Sequence, residues 1–245
     1  MIEACRKALM DRRGTAEHAG MVLAYLLRHQ KDGPTGGIAD DRGSLFKAAI
    51  RAAKASQGIY ALALRRWQAE VRLLGSSAKT VEIRGRLIVG LGDKGVLETG
   101  ITIHRTYGLP YIPGSALKGL ASHYALQEAA LDKERHKLLF GETDDSGYVV
   151  FHDAWISDSS VPACLAADVM TPHHSKYYSE SAAPLDSDTP IPVPFLSVTG
   201  EFHVAVTSPD WPDGAAIGMN LLLAALRDWG VGGKTSSGYG RMYAI

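Results

Sequence analysis

With 245 residues, 46% hydrophobic and 21% charged, the chain has the composition of an ordinary soluble protein, long enough for one elaborated domain or a domain with an extension. No apolar run reaches the ~18–20 residues of a membrane span. The charged start "MIEACRKALMDRRG" does not read as a secretory signal, and two distant cysteines, Cys5 and Cys164, point to a reducing, cytoplasmic setting and against a thiolate metal cluster.

The charge is zero overall but unevenly spread. Residues 1–125 carry 19 Lys and Arg against 10 Asp and Glu, and residues 126–245 carry 7 against 16. One half can attract a polyanion, and the other can dock on a basic neighbour.

Residues 1–75 read as helices. "CRKALMDRRG" is short, and "TAEHAGMVLAYLLRHQ" has Thr15 as its N-cap and a buried stripe of Val22, Leu23, Leu26 and Leu27. Residues 31–43 read as a Gly- and Asp-rich loop, followed by a helix capped by Ser44 and by "IYALALRRWQAEVRLLG". "GSSAK" (75–79) marks a boundary, which divides the chain into a helical extension over 1–78 and a domain over 79–245.

From residue 80 the period shortens. "TVEIRGRLIVGLG" alternates as a strand through Val81, Ile83, Leu87, Val89 and Leu91. After a loop and hairpin come the helix "GSALKGLASHYALQEAAL", a short helix at "DKERHKLLFG", and a strand at "GYVVFHDAWIS" with Val149, Phe151 and Asp153 on alternate positions. Residues 157–194 are long, polar and Pro-rich, as a functional insertion is. The strand "FLSVTGEFHVAVT", a helix over 213–229, a glycine loop and a last strand complete the chain. The order β–α–β–(insertion)–β–α–β predicts an α+β, ferredoxin-like domain, which is also the frame of common RNA-binding modules.

The glycine loop "GVGGKTSSGYGRM" (230–242) raises the question of a phosphate site. It is not a P-loop: the first glycine of that motif would fall on Asp228, and a helix, not a strand, precedes it. A C-cap and turn explain one or two glycines but not five interleaved with Lys234, Thr235, Ser236, Ser237 and Arg241. The pattern suits a clamp on a nucleic-acid backbone, with Gly232, Gly233, Gly238 and Gly240 letting the chain lie against it and Gly233 expected to need a left-handed conformation.

A second anion site is expected where "YIPGSALKG" places Gly114, Ser115 and Lys118 at a helix start. His104 and Arg105 lie just upstream, and His104 is the residue that could serve acid–base cleavage of RNA. His173 and His174 are adjacent and point apart in a strand, so they make poor joint metal ligands. In "HHSKYY", Lys176 suits a phosphate, while Tyr177 and Tyr178 suit either bases or a neighbouring protein. Asp144 and Asp145 read as a polar turn and Asp153 as one side of a strand rather than as a carboxylate pair holding metal.

Together "ETGITIHRTYGLPYIPGSALKGLASHYA", "LLFG", "VVFHDAW", "DVMTPHHSKYY" and the glycine loop resemble the RAMP superfamily of CRISPR-associated proteins. The His-Arg-Thr-Tyr-Gly lead-in and the Thr-Pro-His…Tyr-Tyr segment are similar to subunits of Cmr, the type III-B RNA-targeting complex. The usual signature run has a second serine where Ala116 stands here. The resemblance covers about residues 80–245. It implies a non-catalytic subunit that binds CRISPR RNA near the 3′ end of the guide, meets target RNA and other Cmr subunits, and needs no cofactor or metal. The RNA contacts it implies fall on His104, Arg105, Gly114, Ser115, Lys118, His173, Lys176, Gly232, Gly233, Lys234, Thr235, Ser236 and Arg241. The alternatives are a RAMP endoribonuclease and a scaffold that meets only protein.

Overall fold

Strand β1 (Ser77–Ile83) alternates as its sequence requires, with Val81 and Ile83 buried and Glu82 exposed. In the computed structural model, which describes residues 7–9, 11–27, 38–92, 97, 99–171, 192–211 and 213–245, β1 lies inside an antiparallel sheet. The other strands of this sheet are β2 (Tyr111–Ile112), β5 (Val150–Phe151), β6 (Ala154–Ile156), β9 (Glu201–Thr207) and β10 (Met242–Ala244), of which β9 and β10 flank β1. They run in the order β10–β1–β9–β6–β2, with β5 also on β9. If β5 and β6 are taken as one interrupted strand, the four strands that frame the two crossing helices lie in the lateral order fourth–first–third–second, the ferredoxin-like arrangement.

Those helices are α4 (Gly114–Gln127) and α6 (Gly214–Asp228), packed against each other on one face of the sheet. Leu117 and Ala121 of α4 and Met219, Leu222 and Leu226 of α6 bury against Val81, Phe202, Val204 and Val206. Each large apolar side chain removed from water here contributes roughly 1.5–3 kcal/mol.

The opposite face is covered too. Helix α3 (Gln57–Leu73) lays Tyr60 and Trp67 on Trp155 of β6, with ring centroids 5.6 and 5.8 Å apart and planes within 20°. The buried Tyr60 hydroxyl donates to the Ile156 carbonyl at 2.7 Å. Helices α2 (Ile38–Ala55) and α1 (Ala19–Tyr25) continue this layer, and one cluster of buried side chains runs from Val22 and Leu45 through Tyr60 to Val81 and Leu222. The described residues also form α5 (Lys133–Phe140), the hairpin β3 (Gly141–Glu142)–β4 (Asp145–Ser146), the antiparallel pair β7 (Leu165–Met170)–β8 (Val193–Val198) and short 3₁₀ turns.

Several sequence expectations change. The cap of α1 is His18, not Thr15: its Nδ1 accepts from the Met21 N–H at 3.1 Å while its Nε2 donates to the Arg105 carbonyl at 2.9 Å, a longer-range tie that Thr15 cannot make. The loop expected over 31–43 is helical from Ile38, which brings Asp41 into the start of the helix, where the dipole favours a carboxylate. Asp41 is buried against Arg13 at 2.8 Å, and Ser44 lies inside the helix with its hydroxyl on the Asp41 carbonyl. The stripe of Val22, Leu23, Leu26 and Leu27 is buried as expected, although α1 ends at Tyr25.

The strand expected over 147–157 breaks at His152 and Asp153. Phe151, Ala154 and Ile156 are buried, so one extra residue resets the alternation and leaves Asp153 exposed. Leu87, Ile88 and Val89 are all buried beyond the end of β1, where Leu87 forms a single bridge to Val198. "FLSVTGEFHVAVT" is two strands in different sheets, divided at Gly200, and β7 lies within the expected insertion.

Candidate nucleic-acid interface

The glycine loop is stitched to the segment that follows β1. The Gly233 N–H donates to the Ile88 carbonyl at 2.8 Å, the Gly240 N–H to Arg86 at 2.7 Å, and the Val231 N–H to Gly240 at 2.9 Å. A Cβ on Gly232 would overlap the Ile88 carbonyl oxygen, and one on Gly240 would overlap that of Val231; both residues have positive φ, 89° and 77°. These glycines serve the loop's own close approach, not an open surface for a polyanion. Gly233, expected to be left-handed, is not, and the nearest atom to a Cβ there is Ile88 Cγ2 at 3.6 Å.

What the pinned loop displays is cationic and hydroxylic. Lys234, Ser236 and Arg241 are exposed and Thr235 is half-buried. Lys234 adopts the left-handed conformation (φ 56°, ψ 35°) directly before the 3₁₀ turn Thr235–Ser237. That alternation turns successive N–H groups to one side, and the leading N–H groups of such a turn have no partner within it. Arg84 lies close by, its guanidinium 4.6 Å from the Tyr243 ring centroid. Arg227 grips Asp228 through two bonds of 2.6 and 2.9 Å. With a further bond from the Tyr124 hydroxyl at 2.8 Å, this holds the Asp228 carboxyl down at about 2.

Between α4 and this loop opens a cleft of about 770 Å³, lined by Leu120, His123, Trp229, Thr235, Ser236 and Arg241 among others. Ser115 and Lys118 are not in it. They face a second groove of about 550 Å³, whose other wall is the β3–β4 hairpin with Glu142, Asp144 and Asp145. Successive helix positions turn by about 100°, so Ser115 and Lys118 point away from Ala116, Leu120 and His123. The two anion sites expected from the sequence are thus separate. The start of α4 is also partly occupied: the Gly114 N–H donates to Asp153 Oδ1 at 2.7 Å, and a Cβ on Gly114 would overlap the Phe151 carbonyl. Asp153 is therefore a helix-capping carboxylate.

His104 lies on the far face of the sheet, within an aromatic cluster of Tyr107, Trp155 and Tyr111 at centroid distances of 4.7, 5.2 and 5.7 Å. Its Nδ1 accepts from the Thr106 N–H at 3.2 Å, and burial lowers its pKa. Arg105 beside it is exposed. His173, His174, Lys176, Tyr177 and Tyr178 lie outside the described residues. Among the described residues no group of three or more His, Cys, Asp or Glu could hold a metal ion, and no helix is long and apolar enough to cross a membrane. Sequence reasoning missed Trp229, His123, Arg84 and Arg227. The signal for Trp229 was its place immediately before the loop.

An antiparallel ferredoxin-like sheet with a glycine loop entering its last strand defines a class, and the family description "RAMP superfamily" matches residues 80–243. The chain belongs to the RAMP superfamily. Within it, the chain is similar to the CRISPR system Cmr subunit Cmr6 of Pyrococcus furiosus, at 34% identity over 65% of this chain and 65% of that one. It is also similar to the Cmr6 subunit of Saccharolobus solfataricus, at 28% identity over 65% of this chain and 54% of that one. The chain thus spans just under two thirds of the first relative and about half of the second. A chain in the structure of the type III-B Cmr-beta complex bound to cognate target RNA shares the fold, with a TM-score of 0.63 at 23% identity over 74% of this chain and 64% of that one.

Proposed function

We propose that this chain is a Cmr6-type subunit of a cytoplasmic type III-B effector. In this reading it binds CRISPR RNA toward the 3′ end of the guide and carries out no chemistry on it. The observation that carries the reading is the glycine loop. It is fixed by hydrogen bonds to Arg86 and Ile88, and it presents Thr235, Ser236 and Arg241 at the rim of an open cleft, with Lys234 exposed on the same loop. A loop ordered before binding loses little entropy on meeting a backbone, and the one carboxylate lining its cleft, Asp228, is already bonded to Arg227 and Tyr124, whereas Lys118 faces the three acidic side chains of the hairpin. The names of the two curated relatives support the assembly, and target RNA is reached through the guide. The acidic hairpin at Glu142, Asp144 and Asp145 suits a basic neighbouring subunit.

The non-catalytic part of the reading is supported by the two residues that sequence had nominated. His104 is packed among aromatic rings, and Asp153 is committed to the start of α4. The test is to assemble the complex with a Lys234→Ala/Arg241→Ala subunit, crosslink it to guide RNA and titrate salt. The variant should lose guide retention at an unchanged melting temperature, with the slope of log affinity against log salt reduced by about two phosphates' worth. Full retention by the double variant would refute the loop contact. Turnover of repeat or target RNA by the purified chain that disappears in His104→Ala would refute the absence of catalysis.

A further inference from the structure

The sequence holds four tryptophans. Trp67, Trp155 and Trp211 pack against the hydrophobic core, whereas Trp229 stands apart from it and lines the cleft between α4 and the glycine loop. Its setting is braced. Tyr124 meets it edge-on, with centroids 5.2 Å apart and planes at 71°, and the Tyr124 hydroxyl is anchored on Asp228, which Arg227 holds in turn. The exposed His123 ring stands 5.2 Å from the indole at 55°. Around the indole the lining is apolar, from Ala116, Leu120 and Val231, while Thr235, Ser236 and Arg241 form the polar rim together with Asp228, whose carboxylate is already bonded to Arg227 and Tyr124.

A phosphate has nothing to bind on an indole and a leucine, so a cleft that only followed a sugar–phosphate chain would not be built this way. A nucleobase matches both parts, with a π face for the indole and polar edges and an attached phosphate for the rim. A duplex cannot supply that base, because its bases are paired and stacked within a helix whose deep groove side chains do not enter. We propose that this cleft holds one unpaired nucleobase of a single-stranded RNA, stacked on Trp229, with its phosphate toward Arg241 and the Thr235–Ser236 hydroxyls. The assignment rests on the RNA-binding reading above and adds a component that is not electrostatic. Stacking tolerates any base, so the site selects for strandedness rather than for sequence.

The experiment uses the full chain and three probes: a short single-stranded RNA, the same strand with abasic residues, and a blunt duplex. Affinity and intrinsic tryptophan emission are read together for the parent chain, Trp229→Phe, Trp229→Ala and Lys234→Ala/Arg241→Ala. The parent should prefer the intact single strand, and binding should quench emission. Trp229→Ala should weaken the intact strand on the order of tenfold and remove its advantage over the abasic one. The quench should vanish in Trp229→Phe, because the other three indoles pack against the core and none of them lines this cleft. The cation variant should instead weaken all three probes alike. Equal binding of intact and abasic strands by the parent, or a quench that survives in Trp229→Phe, would overturn the base site and leave the RNA reading standing. Absence of binding to every probe would overturn both. If Trp229→Ala melts early, the parent's preference and the Trp229→Phe emission decide the question.

Discussion

Replacing Gly240 by alanine sets a methyl group on the Val231 carbonyl oxygen. Nothing flexible stands there to give way, since the obstacle is backbone on the opposite limb of the same loop. The residue also sits at φ 77°, where an L-side chain costs about 1–2 kcal/mol. Relief of the overlap would have to separate Val231 from Gly240, lengthening their 2.9 Å hydrogen bond and straining the 2.7 Å bond to Arg86. Two such bonds contribute about 0.5–1.5 kcal/mol each. The total is about 2–5 kcal/mol, which for a chain of this size is a fall in melting temperature of about 4–20 °C. Gly233→Ala is the matched control. It lies in the same loop, but without a positive φ and with its nearest contact at an ordinary 3.6 Å, so it should change stability by less than about 1 kcal/mol. Thermal unfolding of the two variants beside the parent decides the matter. A Gly240→Ala protein that melts with the parent, or a Gly233→Ala protein that falls as far, would refute the view that the glycines serve the loop's internal packing.

Asp153→Ala strips the carboxylate from the Gly114 N–H and should cost about 1 kcal/mol in a denaturant titration, and a stability equal to the parent would remove Asp153 as the cap of α4. Tyr60→Phe leaves the Ile156 carbonyl without its buried donor and should cost about 1–2 kcal/mol, an effect absent if α3 merely rests on the sheet. The pKa values of His104, His152 and His203 are all lowered, chiefly by burial. Below about 6.5 the unfolded chain therefore takes up protons that the folded one refuses, so stability is full above that pH and is lost as pH falls through the folded values. Melting temperature should drop between about pH 7.5 and pH 5.5, less steeply in His203→Gln, and a flat profile would contradict the burial of these rings.

The helices α4 and α6 and the strand β1 were legible because their apolar residues repeat at the right period and nothing distant overrides them. The connection order then led to the ferredoxin-like frame. The glycine loop was legible as a feature but not in its meaning: Gly232 and Gly240 answer to the carbonyls of Ile88 and Val231, and no spacing in the sequence shows which backbone will come that close. Asp153 suffered likewise, since its partner lies 39 residues upstream. The break at His152 was hidden because an interrupted strand and a continuous one share the same apolar composition. The division of Ser115 and Lys118 from the loop cleft could have been read from helical geometry alone, because at about 100° per residue their azimuths on α4 differ from those of Ala116, Leu120 and His123 by about 80° or more.

The packing of α3 over Trp155 limits how the chain can be dissected. A fragment beginning at Gly75 would keep every strand of the sheet, yet it would uncover Trp155 with Tyr107, Tyr111 and His104 around it and leave the Ile156 carbonyl without its donor. Such a face is adhesive toward unpaired bases and toward any other flat apolar surface. The N-terminal helices therefore work as insulation. They cover the side of the sheet on which common RNA-binding modules display their stacking rings, and they leave the helical side, with its glycine loop, as the side on which the proposed function places RNA.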